Sequence, residues 1–335
     1  RLSSQTKMSD PEVDTTPVVK PIPSAPGPST PLTKSYTYHS PTPTTSGPYM
    51  LGVDEAGRGP VLGPLVYGVA YCPVAYTEQL EDLGFADSKQ LTAETRSSLL
   101  DTLSSDLDNL GWSVRVISPQ AISNGMLRRP PTNLNVQSQD ATVLLIQEVL
   151  KKGIELTEAS MTRFALREVS TGPQVYVDAL GTTTTYKAYL SARFPGINFT
   201  VESKADDKFK IVGAASVAAK VTRDACIENW VFEESQAASG NVPTSWDAGM
   251  GSGYPSDPKT KAWLARSVDP VFGLPRVVRF SWSTVKVLLE KEAKNVEWID
   301  EGQASLTQAF NSAKGRDKDR SAVAKDLGLK SVGIL

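Results

Sequence analysis

Hydrophobic and polar positions divide the chain into a proline-rich start and a body of short apolar runs and helical repeats. The apolar run Tyr49 to Val53 predicts a buried strand, stopped by Asp54 and Glu55 and followed at once by Gly57-Arg58-Gly59. Pro64 to Cys72 predicts a second strand pairing with the first. Thr92 caps a predicted helix whose Leu99, Leu100, Leu103, Leu107 and Leu110 keep helical spacing. Trp112 to Ile117 reads as a strand, residues 118–137 as irregular chain, and Ser138 to Lys152 as a helix ended by Gly153. A further helical excursion is expected over 154–170. Gln174 to Asp178 repeats the opening pattern of apolar strand, acid and turn. After a helix over Thr184 to Phe194, the strand Ile197 to Glu202 leads to a third acid in Lys204-Ala205-Asp206-Asp207. The small residues of Val212 to Val221 suit a helix packed closely on a sheet. Residues 236–250 read as a polar loop, and helices over Lys259 to Val268 and up to Trp298 complete the body. The fold class is therefore α/β.

A strand-end aspartate before a glycine-rich turn is by itself usually only a turn. Three strands that each end in an aspartate change that reading, because chemistry in α/β sheets gathers at strand ends. Asp54 and Glu55 point to opposite faces of a regular strand, so sharing a site requires the backbone to turn there.

Composition narrows the chemistry. The chain has 335 residues, 40% of them hydrophobic, enough for a sizeable core. Its net charge of -2 excludes a basic nucleic-acid coat, so any polyanion site is a local patch. No apolar run is long enough to predict a membrane span. Two cysteines, Cys72 and Cys226, exclude a disulfide framework and point to a reducing compartment. Residues 1–48 hold ten of the 23 prolines and are expected to form a disordered leader, with Met8 a candidate start. The single histidine, His39, falls in that leader. A folded part without histidine excludes Ser-His-Asp and Cys-His nucleophile systems and histidine-based zinc sites.

What remains is oxygen chemistry. Asp54, Glu55, Asp178 and Asp206 form a candidate carboxylate site that needs a hard cation such as Mg²⁺ to offset its own repulsion. Two such ions suit phosphodiester hydrolysis. Arg58, set between Gly57 and Gly59, suits a phosphate, as do Lys89, Lys204, Lys208, Lys220 and Arg223. Lys220 and Arg223 are three apart on one helix and share a face, where pairing with acids and contact with a backbone are both open. Tyr254, in the Gly/Pro-rich turn Gly251-Ser-Gly-Tyr254-Pro, is a candidate stacking surface.

Gly52-Val-Asp54-Glu55-Ala-Gly-Arg-Gly-Pro-Val-Leu-Gly-Pro64 resembles the signature of type-2 ribonuclease H, the ribonuclease HII family. Ala86-Asp87-Ser88-Lys89, Asn133-Leu-Asn135, Tyr176-Val-Asp178, Lys204-Ala-Asp206, Lys220-Val-Thr-Arg223-Asp224 and Gly251-Ser-Gly-Tyr254-Pro-Ser-Asp257 follow in the family's order. Asp257-Pro-Lys-Thr-Lys-Ala-Trp263, Pro270-Val-Phe-Gly273 and Arg279-Phe-Ser-Trp282 resemble the family's eukaryotic catalytic chain. The resemblance implies a ribonuclease-H-like fold, a mixed central sheet flanked by helices with a helical C-terminal portion. It covers about residues 49–295; the catalytic domain is expected over 49–298, with a polar, partly disordered tail at 299–335. It implies cleavage of RNA in RNA/DNA hybrids and incision 5′ to single ribonucleotides in duplex DNA, leaving 3′-hydroxyl and 5′-phosphate ends. Asp54, Glu55, Asp178 and Asp206 match its catalytic, Mg²⁺- or Mn²⁺-binding carboxylates, with two ions expected. Gly57-Arg58-Gly59 and Tyr254 match the segment and the tyrosine that read the RNA-to-DNA junction; Lys89, Lys220 and Arg223 match phosphate-binding positions. The family reading adds two non-catalytic subunits in a heterotrimer, docked through the C-terminal region, nuclear location, and roles in ribonucleotide removal and RNA primer processing. Gln303 to Phe310 also resembles a degenerate sliding-clamp box, with Ala309 in place of an aromatic; an ordinary polar tail is the stronger reading there.

Two other readings are weighed against this one. Another metal-dependent nuclease or recombinase of the same fold class would lack Gly-Arg-Gly with Tyr254. A non-enzymatic binding subunit has no use for a full acid set, which costs affinity for a polyanion unless a cation is present.

Overall fold

Eight residues, Tyr49–Ala56, form strand β2, and nine, Leu65–Pro73, form β3. They pair antiparallel in a register that sets Asp54 opposite Gly68 and Glu55 opposite Tyr67. Side chains alternate between two apolar layers, as a strand's period of two requires. Leu51 and Val53 join one layer, whereas Met50 and Ala56 join the other. This is a computed structural model describing residues 21–27, 29–85, 91–156, 175–234 and 249–294. Helices α1 (Thr77–Asp82) and α2 (Ala93–Ser105) precede β4 (Gly111–Ile117). Then follow α3 (Pro119–Leu127), α4 (Leu134–Lys151), β5 (Val175–Asp178), α5 (Thr183–Arg193) and β6 (Phe199–Glu202). The chain continues through α6 (Ala205–Lys208), α7 (Lys210–Glu228), α8 (Pro258–Arg266) and α9 (Ser283–Glu292).

With β1 (Tyr36–His39), the strands make one six-stranded mixed sheet in the order β1-β4-β3-β2-β5-β6. β5 and β6 run parallel to β2, whereas β3, β4 and β1 pair antiparallel in turn. The parallel register pairs Val53 with Val177. One step further along it lie Asp54 and Asp178.

α7 lies directly on β2 and β3. Two strand glycines make this possible: a Cβ on Gly52 would stand 2.3 Å from the Ile211 carbonyl oxygen, and one on Gly68 would stand 2.4 Å from that of Ala215. The small-residue helix expected from the sequence is thus seated by small residues in the sheet as well. α2 packs on the same layer through Leu99, Leu100 and Leu103, and α4 and α5 cover the opposite face. A third apolar cluster joins Trp263 and Leu264 of α8, Val285 of α9 and Val277 and Val278 to Val61 and Leu62. The helical C-terminal portion is thereby fastened to the loop after β2.

Four sequence expectations are corrected. Of the leader expected over 1–48, residues 1–20 and 28 lie outside the described residues, and the described part is not free: β1 pairs with β4, Leu32 is buried, and the Ser24 hydroxyl is 2.6 Å from that of Thr222 on α7. The alternating Tyr-Thr-Tyr-His pattern covers an edge that β4 would otherwise leave unpaired. His39 consequently belongs to the fold, with Nδ1 2.8 Å from Ser113 Oγ and Nε2 3.2 Å from Glu148. The stretch 118–137 contains α3, started by Ser118, whose hydroxyl accepts from Ala121 N–H, with Pro119 in the first turn. α2 ends at Ser105, leaving Leu107 exposed while Leu110 enters the core ahead of β4. The expected helix over 154–170 and loop over 236–250 fall mostly outside the described residues, as does the end of the helix expected to reach Trp298. All of these elements belong to the first of the two units into which the chain divides, Arg1–Ala293.

Candidate active site

β2 and β5 deliver three carboxylates to one place. Oxygens of Asp54, Glu55 and Asp178 lie within 4.8 Å of one another. The opposed directions of Asp54 and Glu55 are reconciled at the strand end. Asp54 turns toward α7, where the buried Ser216 hydroxyl hydrogen-bonds it. Its Oδ1 also accepts from the Glu55 N–H at 2.7 Å. Glu55 leaves on the side of Tyr67, opposite it in the ladder, and both Tyr67 and Tyr186 feel its charge. Asp178 Oδ1 accepts from the Ala205 N–H at 2.8 Å, which ties β5 to the turn after β6.

That turn is sharp. Lys204 adopts a left-handed conformation at φ 55°, and α6 starts immediately after it. Asp206 is buried and Asp207 exposed, so Asp206 is the inward acid of the pair. It sits one residue past the Ala205 N–H that holds Asp178, outside the three-carboxylate group. Burial, then the neighbouring Glu55 and Asp178 carboxylates, hold the Asp54 pKa well above the usual carboxylate range; Ser216 and the Glu55 N–H act in the other direction. A group of hard oxygen donors that resists its own ionisation fits a divalent cation.

The loop from Gly57 to Gly63 forms the second part of the site. Gly57 has φ +85°, and a Cβ there would meet Arg223 Nε at 2.4 Å. Arg58 does not project freely: it donates to Ser138 Oγ at 3.2 Å and to Asn135 Oδ1 at the start of α4. The ring of Tyr254 lies over Gly59, with Cε1 3.1 Å from where a Cβ would stand, and Tyr254 is 47% exposed. The Tyr254 turn is stiffened by Asp257, whose carboxylate accepts from Ser252 N–H and Oγ and from Lys259 N–H. Those bonds lower the Asp257 pKa to about 2. Val61 N–H donates to Gly253 O at 2.7 Å and locks the turn to the loop.

The basic residues divide. Arg223 is 11% exposed, places Nη1 3.3 Å from Asp224 and lies against Gly57. Lys220 is half-buried on α7. Lys208 pairs with Glu202, and Lys204 is exposed in its turn. Lys89 lies outside the described residues. Sequence reading gives no role to Ser216, which lies in a run of small residues that packing explains, or to Asn135 and Ser138, which anchor Arg58. It also gives no role to Arg279 and Trp282, whose one signal is their place in Arg279-Phe-Ser-Trp282.

Known proteins are similar to this chain over most of its length. The profile of the family described as Ribonuclease HII matches residues 51–285. The A-type subunit of ribonuclease H2 from Mus musculus is 48% identical over 253 residues, covering 76% of each chain. The crystal structure of the ribonuclease H2 from Pyrococcus horikoshii OT3 superposes with a TM-score of 0.53 at 33% identity. That match covers 74% of this chain and all of the archaeal one. The RNase HII in a PCNA:RNase HII complex from Archaeoglobus fulgidus is 26% identical with a TM-score of 0.53, over 75% of this chain and 98% of that one.

Proposed function

The chain belongs to the ribonuclease HII family, as a catalytic subunit of the eukaryotic ribonuclease H2 type, and from that premise we propose that it incises duplex DNA 5′ to single embedded ribonucleotides. It is a metal-dependent ribonuclease H acting on RNA/DNA hybrids. The observation that supports the finer activity is one juxtaposition. The Asp54, Glu55 and Asp178 carboxylates stand at the end of β2, and the Gly57–Gly59 loop that leaves this strand runs under Tyr254. An exposed ring over a backbone that no Cβ obstructs suits stacking on one nucleotide, and the 2′-hydroxyl is what distinguishes RNA from DNA there.

Asp54, Glu55, Asp178 and Asp206 would hold two divalent ions, Mg²⁺ or Mn²⁺, which when bound supply an activated water and stabilise the leaving oxygen. The chain's own groups do the rest. Ser216 opposes the rise in the Asp54 pKa, and the Ala205 N–H orients Asp178. Tyr254 and the Gly57–Gly59 backbone fix the ribonucleotide, while Lys89, Lys220 and Arg223 supply positive field for phosphate.

The test is cleavage of a DNA duplex carrying one ribonucleotide, with Mg²⁺ and then with chelator, beside Asp54→Asn and Tyr254→Ala. Metal-dependent incision on the 5′ side, abolished by Asp54→Asn and selectively weakened by Tyr254→Ala, is expected. Cleavage of all-DNA duplex instead would sink the proposal. The proposal extends to ribonucleotide removal and primer processing in the nucleus, and to assembly with two non-catalytic subunits through the C-terminal region. The mouse relative is named as one subunit of ribonuclease H2, which supports an assembly. Full hybrid cleavage by the chain alone would argue against an obligate one. A sliding-clamp contact at 303–310, outside the described residues, is the weaker reading beside an ordinary polar tail: clamp binding lost in Phe310→Ala would keep it, and no binding at all would end it.

A further inference from the structure

Arg279 is completely buried, yet among the described residues its guanidinium meets backbone carbonyls rather than a carboxylate. Nη2 donates to Gly57 O at 2.6 Å, Nη1 to Arg58 O at 3.2 Å and Nε to Gly63 O at 2.8 Å. Its own N–H donates to Val61 O at 2.9 Å. Trp282, three residues on, donates Nε1–H to Gly59 O at 3.1 Å, and the guanidinium carbon lies 4.9 Å from its ring centroid. Two side chains from the C-terminal portion thus hold the carbonyls of Gly57, Arg58 and Gly59 on one side.

A trans peptide carries its C=O and N–H on opposite edges. Drawing the Gly57 and Arg58 carbonyls toward Arg279 therefore turns the Arg58 and Gly59 N–H groups away from it. A charged donor on each carbonyl also polarises the amide and makes the N–H across the bond a better donor. Burial, then the neighbouring Arg223, lower the Arg279 pKa to about 9, so the cation persists at neutral pH.

We propose that Arg279 and Trp282 are positioning residues that set the Gly57–Gly59 backbone for the ribonucleotide and thereby its selectivity for a single one. This rests on the proposed incision activity and adds to it a dependence on register. On an RNA/DNA hybrid, any ribonucleotide that enters the cradle gives a cleavable register. On a duplex with one ribonucleotide, only one register does. Loosening the cradle therefore costs more on the second substrate.

The experiment measures KM and kcat on both substrates for the full chain, in its assembly if that is required for activity, as wild type, Trp282→Phe and Arg279→Lys, beside thermal melting. Trp282→Phe keeps an aromatic ring and loses one hydrogen bond. It is expected to raise KM on the single-ribonucleotide duplex about 5-fold, with less change on the hybrid and kcat kept within about 2-fold. Arg279→Lys keeps the charge and loses the three-carbonyl geometry, with an expected loss of about 10- to 100-fold in kcat/KM on that duplex. Equal losses on both substrates that follow the folded fraction, or an unchanged KM in a well-folded Trp282→Phe, would overturn the inference. If Arg279→Lys does not fold, Trp282→Phe decides alone. A wild-type protein that cuts the hybrid but not the single-ribonucleotide duplex would overturn the incision activity itself, and the inference with it.

Discussion

Asp54 faces Gly68 across the β2–β3 ladder, and the space at Gly68 is occupied by the α7 turn containing Ala215. The next residue on that turn, Ser216, hydrogen-bonds Asp54. A glycine on the neighbouring strand therefore sets how closely the helix approaches the acid. Gly68→Ala would force α7 outward, because the obstructing atom is a backbone oxygen at 2.4 Å. A stability loss of about 1–3 kcal/mol is expected. Specific activity per folded molecule should fall as well, read by calorimetry and single-turnover cleavage on the same preparation.

Asp54→Asn should abolish cleavage and yet stabilise the metal-free protein at neutral pH. The Asp54 pKa is raised on folding, so the folded state prefers the protonated acid. The cost of ionising it is fully present above the raised value. It disappears as pH falls through that value toward the ordinary carboxylate pKa. In chelator, wild-type Tm should rise over that descent and the Asp54→Asn curve should be flatter. Parallel curves would show that Asp54 is not the strained group.

Divalent ions should remove the same strain from the other direction. Mg²⁺ or Mn²⁺ at 100 times its Kd stabilises a protein that binds it only when folded by about 2.7 kcal/mol. Melting with metal titrated into wild type, Asp178→Asn and Asp206→Asn separates the ligands. Asp178→Asn should lose most of the shift because Asp178 is in the three-carboxylate group. The size of the loss in Asp206→Asn reports whether the inward acid of the next turn joins it.

The cradle glycines should differ in severity. Gly57→Ala meets a positive φ and Arg223 Nε at 2.4 Å, so a loss of about 100-fold or more in kcat/KM is expected. Gly59→Ala meets only the Tyr254 ring edge at 3.1 Å, which can move a few tenths of an ångström. A loss of about 5-fold, concentrated in KM, should follow. A Gly59→Ala variant as damaged as Gly57→Ala would mean the ring cannot yield.

The strand ends are readable from sequence because apolar alternation broken by an acid and glycines is a local signal. Asp54 and Asp178 can be named from it without knowing that their strands are parallel neighbours. The long-range partners are not readable. Ser216 sits in Ala-Ala-Ser-Val-Ala-Ala, where packing explains every residue, and only the approach allowed by Gly52 and Gly68 gives its hydroxyl a second role. Arg279 is 222 positions from Gly57, a separation no periodicity reports. β1 escapes such reading because proline-rich flanks outweigh a four-residue pattern, and its ladder partner is remote: His39 and Ser113 are 74 positions apart.

His39 has a further consequence as the sole imidazole of the chain. It stands at the seam where β1 meets β4 and α4, between Ser113 and Glu148. Burial, then Lys152, lower its pKa, while Glu148 acts against them. Its neutral form is therefore favoured in the folded chain, and that contribution is lost as pH falls through the lowered value. In a proton NMR spectrum the ring gives one set of imidazole signals with no other histidine to overlap them. The chain thus carries its own label for whether its first strand is seated, readable without any added probe.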